Sequence, residues 1–165
     1  MEQLLVTPVR PVEILLGKLI PYYVIGLGQL TLVLGTGVWL FEVPVEGSLP
    51  LLYLLSSFFL VGALSQGMLI SVITRQQQLA MQLSLISSML PALLLSGFMS
   101  PIASMPRVIQ VITYIIPARY FLTVARGIFL KGLGIGTLWP QALGLLLFAA
   151  LMLTLGVKRF KTRLD

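Results

Sequence analysis

The chain has 165 residues, of which 58% are hydrophobic and 10% are charged. Soluble domains average about 45–50% apolar and about 25% charged residues, and a domain of this size buries only about 70% of its chain surface. The composition excludes a soluble globular domain and a disordered chain, and it predicts a polytopic membrane protein. Cysteine and histidine are absent from the sequence, which excludes a disulfide framework, a thiolate nucleophile and a zinc site.

A helix that crosses the bilayer needs about 20 mostly apolar residues. Charged residues divide the sequence into four long uncharged stretches, each able to hold one such helix. We therefore predict an all-α membrane protein, with residues 1–165 forming a single transmembrane domain. The four predicted transmembrane helices cover 19–40, 49–73, 79–97 and 138–157.

The net charge of +6 is interpreted as contact with anionic lipid and as a topology signal, with no nucleic-acid partner. With the N-terminus in the cytoplasm, seven of the 11 Lys and Arg residues lie inside and four lie outside. The positive-inside rule therefore predicts that both termini are cytoplasmic, with 158–165 as a tail. The inside residues are Arg10, Lys18, Arg75, Lys158, Arg159, Lys161 and Arg163, and the outside residues are Arg107, Arg119, Arg126 and Lys131.

The third predicted span has a small residue at every fourth position. Residues four apart share a helix face, and small faces allow close helix approach in lipid. We interpret this face as packing within one protomer; the alternative is a face that lines a pathway or a protomer seam. Pro91 is expected to kink the span, with neighbouring hydroxyls satisfying the freed backbone groups. The helix-packing candidates are Ala80, Ser84, Ser88, Pro91 and Ala92, and Ser96 continues the series.

No Asp, Glu, Lys or Arg lies inside a predicted span. Ion-coupled carriers commonly use an intramembrane ionisable residue as a relay, so the pattern argues against a proton-driven transporter. Gln29 and Gln66 are polar side chains well inside spans, and we expect each to bond to a neighbouring helix.

Residues 1–18 are predicted to form a cytoplasmic interfacial segment. Pro11 suits the first position of a helix, and the apolar residues after it repeat at helical spacing. Pro21 is expected to bend or restart the helix where it enters the bilayer. This segment is either an anchor on the membrane surface or a docking element for a cytoplasmic partner, with Glu2, Arg10 and Glu13 available for ion pairs.

Residues 98–137 are too apolar for a solvated loop and too interrupted for a span. Ser104 is predicted to cap a helix that starts at Pro106, and Pro117 is predicted to end it. A second helix follows, with Val124 and Ile128 on an apolar face opposite Arg119 and Arg126. We predict a re-entrant or interfacial helical hairpin at the outer leaflet. Its basic residues either pair with acids elsewhere in an assembly or hold phosphates of lipid or of an anionic cargo.

Two runs of sequence, in this order and with this spacing, resemble the membrane subunit of type-2 ABC exporters, the bacterial permease family for drugs, lipids and polysaccharides. The first is similar to the family's cytoplasmic segment before its third span, and the second to the segment between its last two spans. They are Glu2–Pro8 with Arg10-Pro11, Glu13–Leu15, Gly17-Lys18 and Pro21-Tyr22, and then Ser96–Phe98, Pro101-Ile102, Met105-Pro106, Ile116–Phe121 and Arg126–Gly132.

The resemblance implies an ATP-driven exporter in which two permease copies pair with two ABC ATPase subunits. ATP would be used by the partner, and this chain would bind no cofactor, in agreement with a sequence that has no G-x-x-x-x-G-K-[ST] loop. The ATPase-coupling candidates that match the family's segment are Glu2, Thr7, Pro8, Arg10, Pro11 and Glu13. The outer-hairpin candidates, which would gate or shape the exit, are Pro106, Pro117, Arg119, Tyr120 and Arg126.

The family's usual permease has six spans and about twice this length, so the chain resembles its C-terminal part, located in the bacterial inner membrane. We interpret it as a fragment or truncated product. Two alternatives to an exporter permease are a non-transporting membrane scaffold or assembly protein and an intramembrane enzyme. The enzyme is disfavoured because the sequence has no His or Cys and no carboxylate inside a span.

Overall fold

The computed structural model describes residues 11–74 and 76–161. At residues 11, 12, 14, 15, 160 and 161 it describes the backbone only. Within these ranges, every regular element is helical. The elements are α1 (Pro11–Leu40), α2 (Leu49–Ile73), α3 (Gln77–Ser84), a π-helical turn (Leu85–Met89), α4 (Leu90–Leu95), a 3-10 turn (Ile102–Ser104), α5 (Arg107–Ile112), a second 3-10 turn (Thr113–Ile115), α6 (Pro117–Lys131) and α7 (Ile135–Lys161).

Four stretches of helix are long and apolar enough to cross a membrane, which confirms the predicted all-α class with four candidate spans. They are Leu16–Leu40, Leu49–Ile73, Gln77–Leu95 and Ile135–Arg159. The third stretch begins and ends slightly earlier than the predicted span, and the fourth begins earlier and ends later. Where each helix meets the lipid stays a prediction.

The first helix differs from the prediction at Pro21. Residues 11–40 form one helix with Pro21 inside it, so the helix does not restart there. Proline removes a single N–H donor, and the surrounding turns of a 30-residue helix keep their own hydrogen bonds. The predicted interfacial segment and the first span therefore share one continuous helix from Pro11 onward.

The core of the bundle lies between α2, α6 and α7. Its most deeply buried side chains are apolar, and Leu34 of α1 covers one side of it. Because these helices bury large aliphatic residues at helical spacing, each presents one continuous face to the others. The buried cluster consists of Leu34, Leu52, Leu55, Val124, Ile128, Leu138 and Leu145.

Helices α2 and α7 approach each other closely at Gly62. A Cβ atom at this position would lie 2.4 Å from Cδ1 of Phe148 and 3.3 Å from the Cα atom of Ala149. A glycine is therefore required here for the two helix backbones to pack at this distance, as is common for helix pairs in lipid.

Two hydrogen bonds between side chains join α1 to α2. Tyr23 Oη donates to Ser57 Oγ at 2.8 Å, and Thr31 Oγ1 and Tyr53 Oη lie 2.8 Å apart. In hydrocarbon a polar group has no water to bond to, so bonds of this kind fix one helix against another.

The third candidate span has little cover from the other helices. No residue within Gln77–Leu95 is buried, although Ser96 directly after it is only 5% exposed. The part of the chain described here therefore leaves most of this helix open to lipid or to another protein surface.

We predict that Gly62→Val destabilises the bundle, because the added methyl groups would overlap the Phe148 ring. Overpacking of this kind costs about 1–3 kcal/mol. The matched control is Gly67→Val on the same helix, where a Cβ would meet no atom within 4 Å. The measurement is the thermal unfolding midpoint of the purified protein in detergent. Equal midpoints for the two variants would contradict the close packing of α2 on α7.

Candidate functional site

The segment between the third and fourth candidate spans contains two short helices that meet at a sharp bend. The axis of residues 107–115 is bent by 87° from that of α6. We call Arg107–Lys131 the bent pair; it corresponds to the hairpin predicted between these spans. Pro117 begins α6, as its fixed φ and missing N–H favour.

The predicted cap of the first helix is wrong. Ser104 lies in a 3-10 turn, and its hydroxyl donates to the carbonyl oxygen of Pro101 at 2.6 Å. The residue that precedes α5 is Pro106, with extended backbone angles and no capping bond from a side chain. Gln110 ties this region together instead, because its Nε2 donates to the carbonyl oxygen of Met105 at 2.8 Å.

The bend lies well inside the bundle, at least a third of the way along α2 and α7 from their N-terminal ends. At the start of α6, the Phe121 ring stacks on Phe59 with centroids 4.7 Å apart, and Tyr120 lies against Gly144. Phe59 is ten residues into α2 and Gly144 nine residues into α7, which is about 14–15 Å along each axis. The far end of α6 contacts the loop before α2, since Gly132 lies against Glu46. The bent pair therefore reaches into the bundle, as a broken span or a re-entrant pair does.

The bent pair places one basic side chain, that of Arg119, directly beside the bend. Arg119 lies outside every candidate span in the sequence, yet it stands in the first turn of α6, well inside the bundle. Its Nη1 donates to Thr113 Oγ1 and, at 3.4 Å, to the carbonyl oxygen of Gln110. Its Cζ lies 3.9 Å from the centroid of the Tyr114 ring.

Tyr120 supports the same bend from α6. Its hydroxyl donates to the carbonyl oxygen of Tyr114 at 2.7 Å, while its ring occupies the space left by the missing side chain of Gly144. The aromatic side chain thus joins the short 3-10 turn before the bend to α7.

The remaining basic residues of the bent pair are exposed. Among the residues that the structure describes, no carboxylate lies within ion-pair distance of Arg107, Arg126 or Lys131. The two predicted uses of these residues, pairing with acids elsewhere in an assembly or holding phosphates, both stay open for Arg126.

The loop between α1 and α2 packs directly against the C-terminal end of α6. The N–H of Glu46 donates to the carbonyl oxygen of Phe129 at 3.4 Å. A Cβ at Gly47 would lie 2.7 Å from the carbonyl oxygen of Ile128, and Gly132 has a φ of 58°, in the left-handed region. Glycine at both positions lets two backbones meet without side chains between them.

The small-residue face of the third span is only partly covered. Ala80, Ser84 and Ala92 are half-buried, whereas Ser88 is exposed. The kink expected at Pro91 takes the form of a π-helical turn directly before it, in which the Leu90 N–H bonds to the carbonyl oxygen of Leu85. A π turn places one extra residue in the helix and is frequent at functional sites.

Hydroxyls on both sides of Pro91 bond to the backbone, but not to the carbonyl oxygen of Ser87, which is the group that the proline leaves without a helical donor. Ser88 donates to the carbonyl oxygen of Ser84, and Ser96 donates to that of Ala92. The side chains of Gln29 and Gln66 form no hydrogen bond with another residue that the structure describes, so the expected interhelical bonds are not seen there.

Most of the coupling candidates lie outside the described residues: Glu2, Thr7, Pro8 and Arg10. Pro11 starts α1, and Glu13 is exposed in its first turn, where a carboxylate is favoured by the helix dipole. Glu13 and Lys158 each have an interaction partner.

Within the described ranges, no group of three or more acidic, Cys or His side chains could hold a metal ion. The structure instead brings together apolar helix faces, the bent pair and the guanidinium of Arg119 beside the bend. These features define a polytopic membrane protein built around helix surfaces.

The chain belongs to the ABC-2 type transporter family, whose model matches residues 1–130. It is 44% identical over 165 residues to the "Probable multidrug ABC transporter permease YbhS" of Escherichia coli K12, a match that covers 100% of this chain and 44% of that protein. It is 35% identical over 150 residues to the "Probable multidrug ABC transporter permease YbhR" of the same strain, covering 91% of this chain and 40% of the relative.

A third relative is the "Inner membrane transport permease YhhJ" of E. coli K12, which is 34% identical over 166 residues, covering 97% of this chain and 43% of that protein. The chain thus spans less than half the length of these curated relatives. No solved structure matches it.

We predict that Gly47→Ala separates the α1–α2 loop from α6, because the new methyl group would overlap the backbone carbonyl of Ile128. No side-chain rotation relieves that overlap. The readout is the rate of proteolysis within residues 41–48 of the folded protein, expected to rise several-fold. Gly134→Ala is the control, since a Cβ there meets no atom within 4 Å. Unchanged proteolysis in Gly47→Ala would place the loop elsewhere.

Proposed function

We propose that this chain forms membrane-spanning helices of the permease of an ATP-driven ABC exporter, and thereby part of its translocation pathway. The observation that carries the proposal is the match to the ABC-2 family model over residues 1–130, together with four candidate spans. The sequence also lacks a phosphate-binding loop, so ATP hydrolysis is assigned to a separate subunit.

The proposed assembly contains two permease copies and an ABC ATPase subunit on the cytoplasmic side. Both termini face the cytoplasm, in line with the distribution of Lys and Arg. The inner bacterial membrane is the proposed location, supported by the printed name of a relative that is 34% identical. The ATPase would dock near the Pro11 end of α1, where Glu13 is exposed.

The names of two relatives, at 44% and 35% identity, support hydrophobic drugs as the proposed cargo class. The largely uncovered surface of Gln77–Leu95 fits this class, because the side chains that it exposes are mostly Leu, Met and Ile and none is charged. In the proposed complete permease, this surface lines the route or the seam between copies.

The chain is further proposed to be the C-terminal part of a six-span permease, since relatives are more than twice as long. We expect the DNA upstream of the Met1 codon to encode two more spans and an extracytoplasmic domain in the same frame, beside an ATPase gene. Sequencing of that region is the measurement. A stop codon directly upstream, with a ribosome-binding site, would instead favour a four-span scaffold protein.

We expect Glu13→Lys, made in the complete permease, to uncouple ATP hydrolysis from transport. The physical reason is that charge reversal at an exposed position in the first turn of α1 weakens the contact that passes motion of the bound ATPase to α1, while the bundle core is untouched. Dye efflux from vesicles should fall at least tenfold, with ATP hydrolysis and co-purification of the ATPase retained.

The matched control is Glu42→Lys, the same charge change beyond the opposite end of α1, where the side chain is also exposed. It should leave efflux and hydrolysis coupled. Wild-type coupling in Glu13→Lys would remove the docking role. A complete absence of ATPase co-purification with the unmodified protein would favour the scaffold.

A further inference from the structure

The position of Arg119 is not explained by the helix that carries it. Arg119 is the third residue of α6, and the N-terminus of a helix bears a partial positive charge that disfavours a cation in the first turn. The next two residues, Tyr120 and Phe121, contact Gly144 of α7 and Phe59 of α2, so Arg119 stands at a level of the bundle where a charged side chain is costly unless it is paired.

The partners of the guanidinium all lie on the other side of the bend. Gln110 is in the last turn of α5, and its carbonyl oxygen is among those that α5 leaves without a partner within the helix. Thr113 is 0% exposed and begins the 3-10 turn that follows. Tyr114, whose ring lies under the guanidinium, belongs to the same turn.

These contacts form one connected set. Thr113 Oγ1 itself donates to the carbonyl oxygen of Gln110 at 2.7 Å, and Arg119 Nη1 donates both to that oxygen and to Thr113 Oγ1. A basic side chain that bonds to the last carbonyls of a helix acts as its C-terminal cap. Here the cap comes from the next helix, across a bend of 87°.

We infer that Arg119 is a positioning residue that caps α5 from across the bend and thereby fixes the angle between the two helices of the bent pair. A planar guanidinium is suited to this task, because it donates in fixed directions while its face lies on an aromatic ring. A lysine ammonium would keep the charge but has no planar group to orient against Tyr114. The inference concerns the geometry of this chain and stands independently of transport.

The test is a distance measurement between spin labels in the chain reconstituted in lipid nanodiscs. Because the sequence has no cysteine, labels can be placed at Val108→Cys on α5 and Leu130→Cys on α6, which are 72% and 62% exposed. The labelled parent should give one narrow distance distribution. Arg119→Ala should widen it at least twofold, and Arg119→Lys should lie between the two.

Two further variants separate positioning from general stability. Arg126→Ala removes the same side chain from an exposed site seven residues along α6 and should leave the distribution unchanged. Thr113→Val keeps the shape of a buried side chain and removes its hydroxyl. It should widen the distribution, and adding it to Arg119→Ala should widen it no further, since both substitutions break one set of contacts.

Several outcomes would overturn the inference. One is an unchanged distribution in Arg119→Ala with a lowered melting temperature, which would make Arg119 a stabilising residue only. Equal widening by Arg126→Ala would point to a general effect of charge. A parent distribution that is narrow in anionic phosphatidylglycerol but broad in zwitterionic phosphatidylcholine, with the difference lost in Arg119→Ala, would make a bound anionic lipid, and not α5, the partner that fixes Arg119.

Discussion

The close approach of α2 and α7 at Gly62 is the constraint on which the rest of the structure depends. With the Phe148 ring filling the space of a missing side chain, the two helices form a surface that α6 can pack against. Val124 and Ile128 then become fully buried between them. Lipid supplies no hydrophobic force between helices. The van der Waals packing of small against large side chains must therefore hold these helices together, as the hydrophobic effect does in a soluble core.

The position of the bent pair depends on that surface. Phe121 stacks on Phe59, and Tyr120 lies against Gly144, so the start of α6 is held well inside the bundle. The backbone there is irregular, and at such depth each freed polar group needs a partner within the protein. Thr113, Gln110 and Arg119 supply these partners to one another, whereas α5 beside them keeps Val108 and Val111 exposed.

The sequence predicted the number and class of the long helices because an uncharged apolar stretch has few alternatives in lipid. It also predicted the Pro117 boundary and the apolar face of α6. It was wrong at Ser104, whose hydroxyl bonds locally to Pro101. Of the two outcomes expected at Pro21, a bend or a restart, the structure excludes the restart, since one lost hydrogen bond does not outweigh the flanking turns. The position of Arg119 within the bundle could not be predicted from the sequence. It depends on the contacts of the neighbouring Phe121 and Tyr120 with Phe59 and Gly144, which are distant in the sequence. The signal that the sequence did offer was an arginine in the first turn of a helix, where the helix dipole disfavours a cation.

The continuity of α1 has a geometric consequence. Thirty residues of helix without a restart extend from Pro11 to Leu40, a rod of about 45 Å. A tilt of about 10° at one end of such a rod displaces the other by about 8 Å. Near the Leu40 end, the loop to α2 meets the end of α6 backbone to backbone at Gly47. If α1 moves as one body, a rotation imposed near Glu13 therefore grows with distance and reaches the loop that contacts the bent pair.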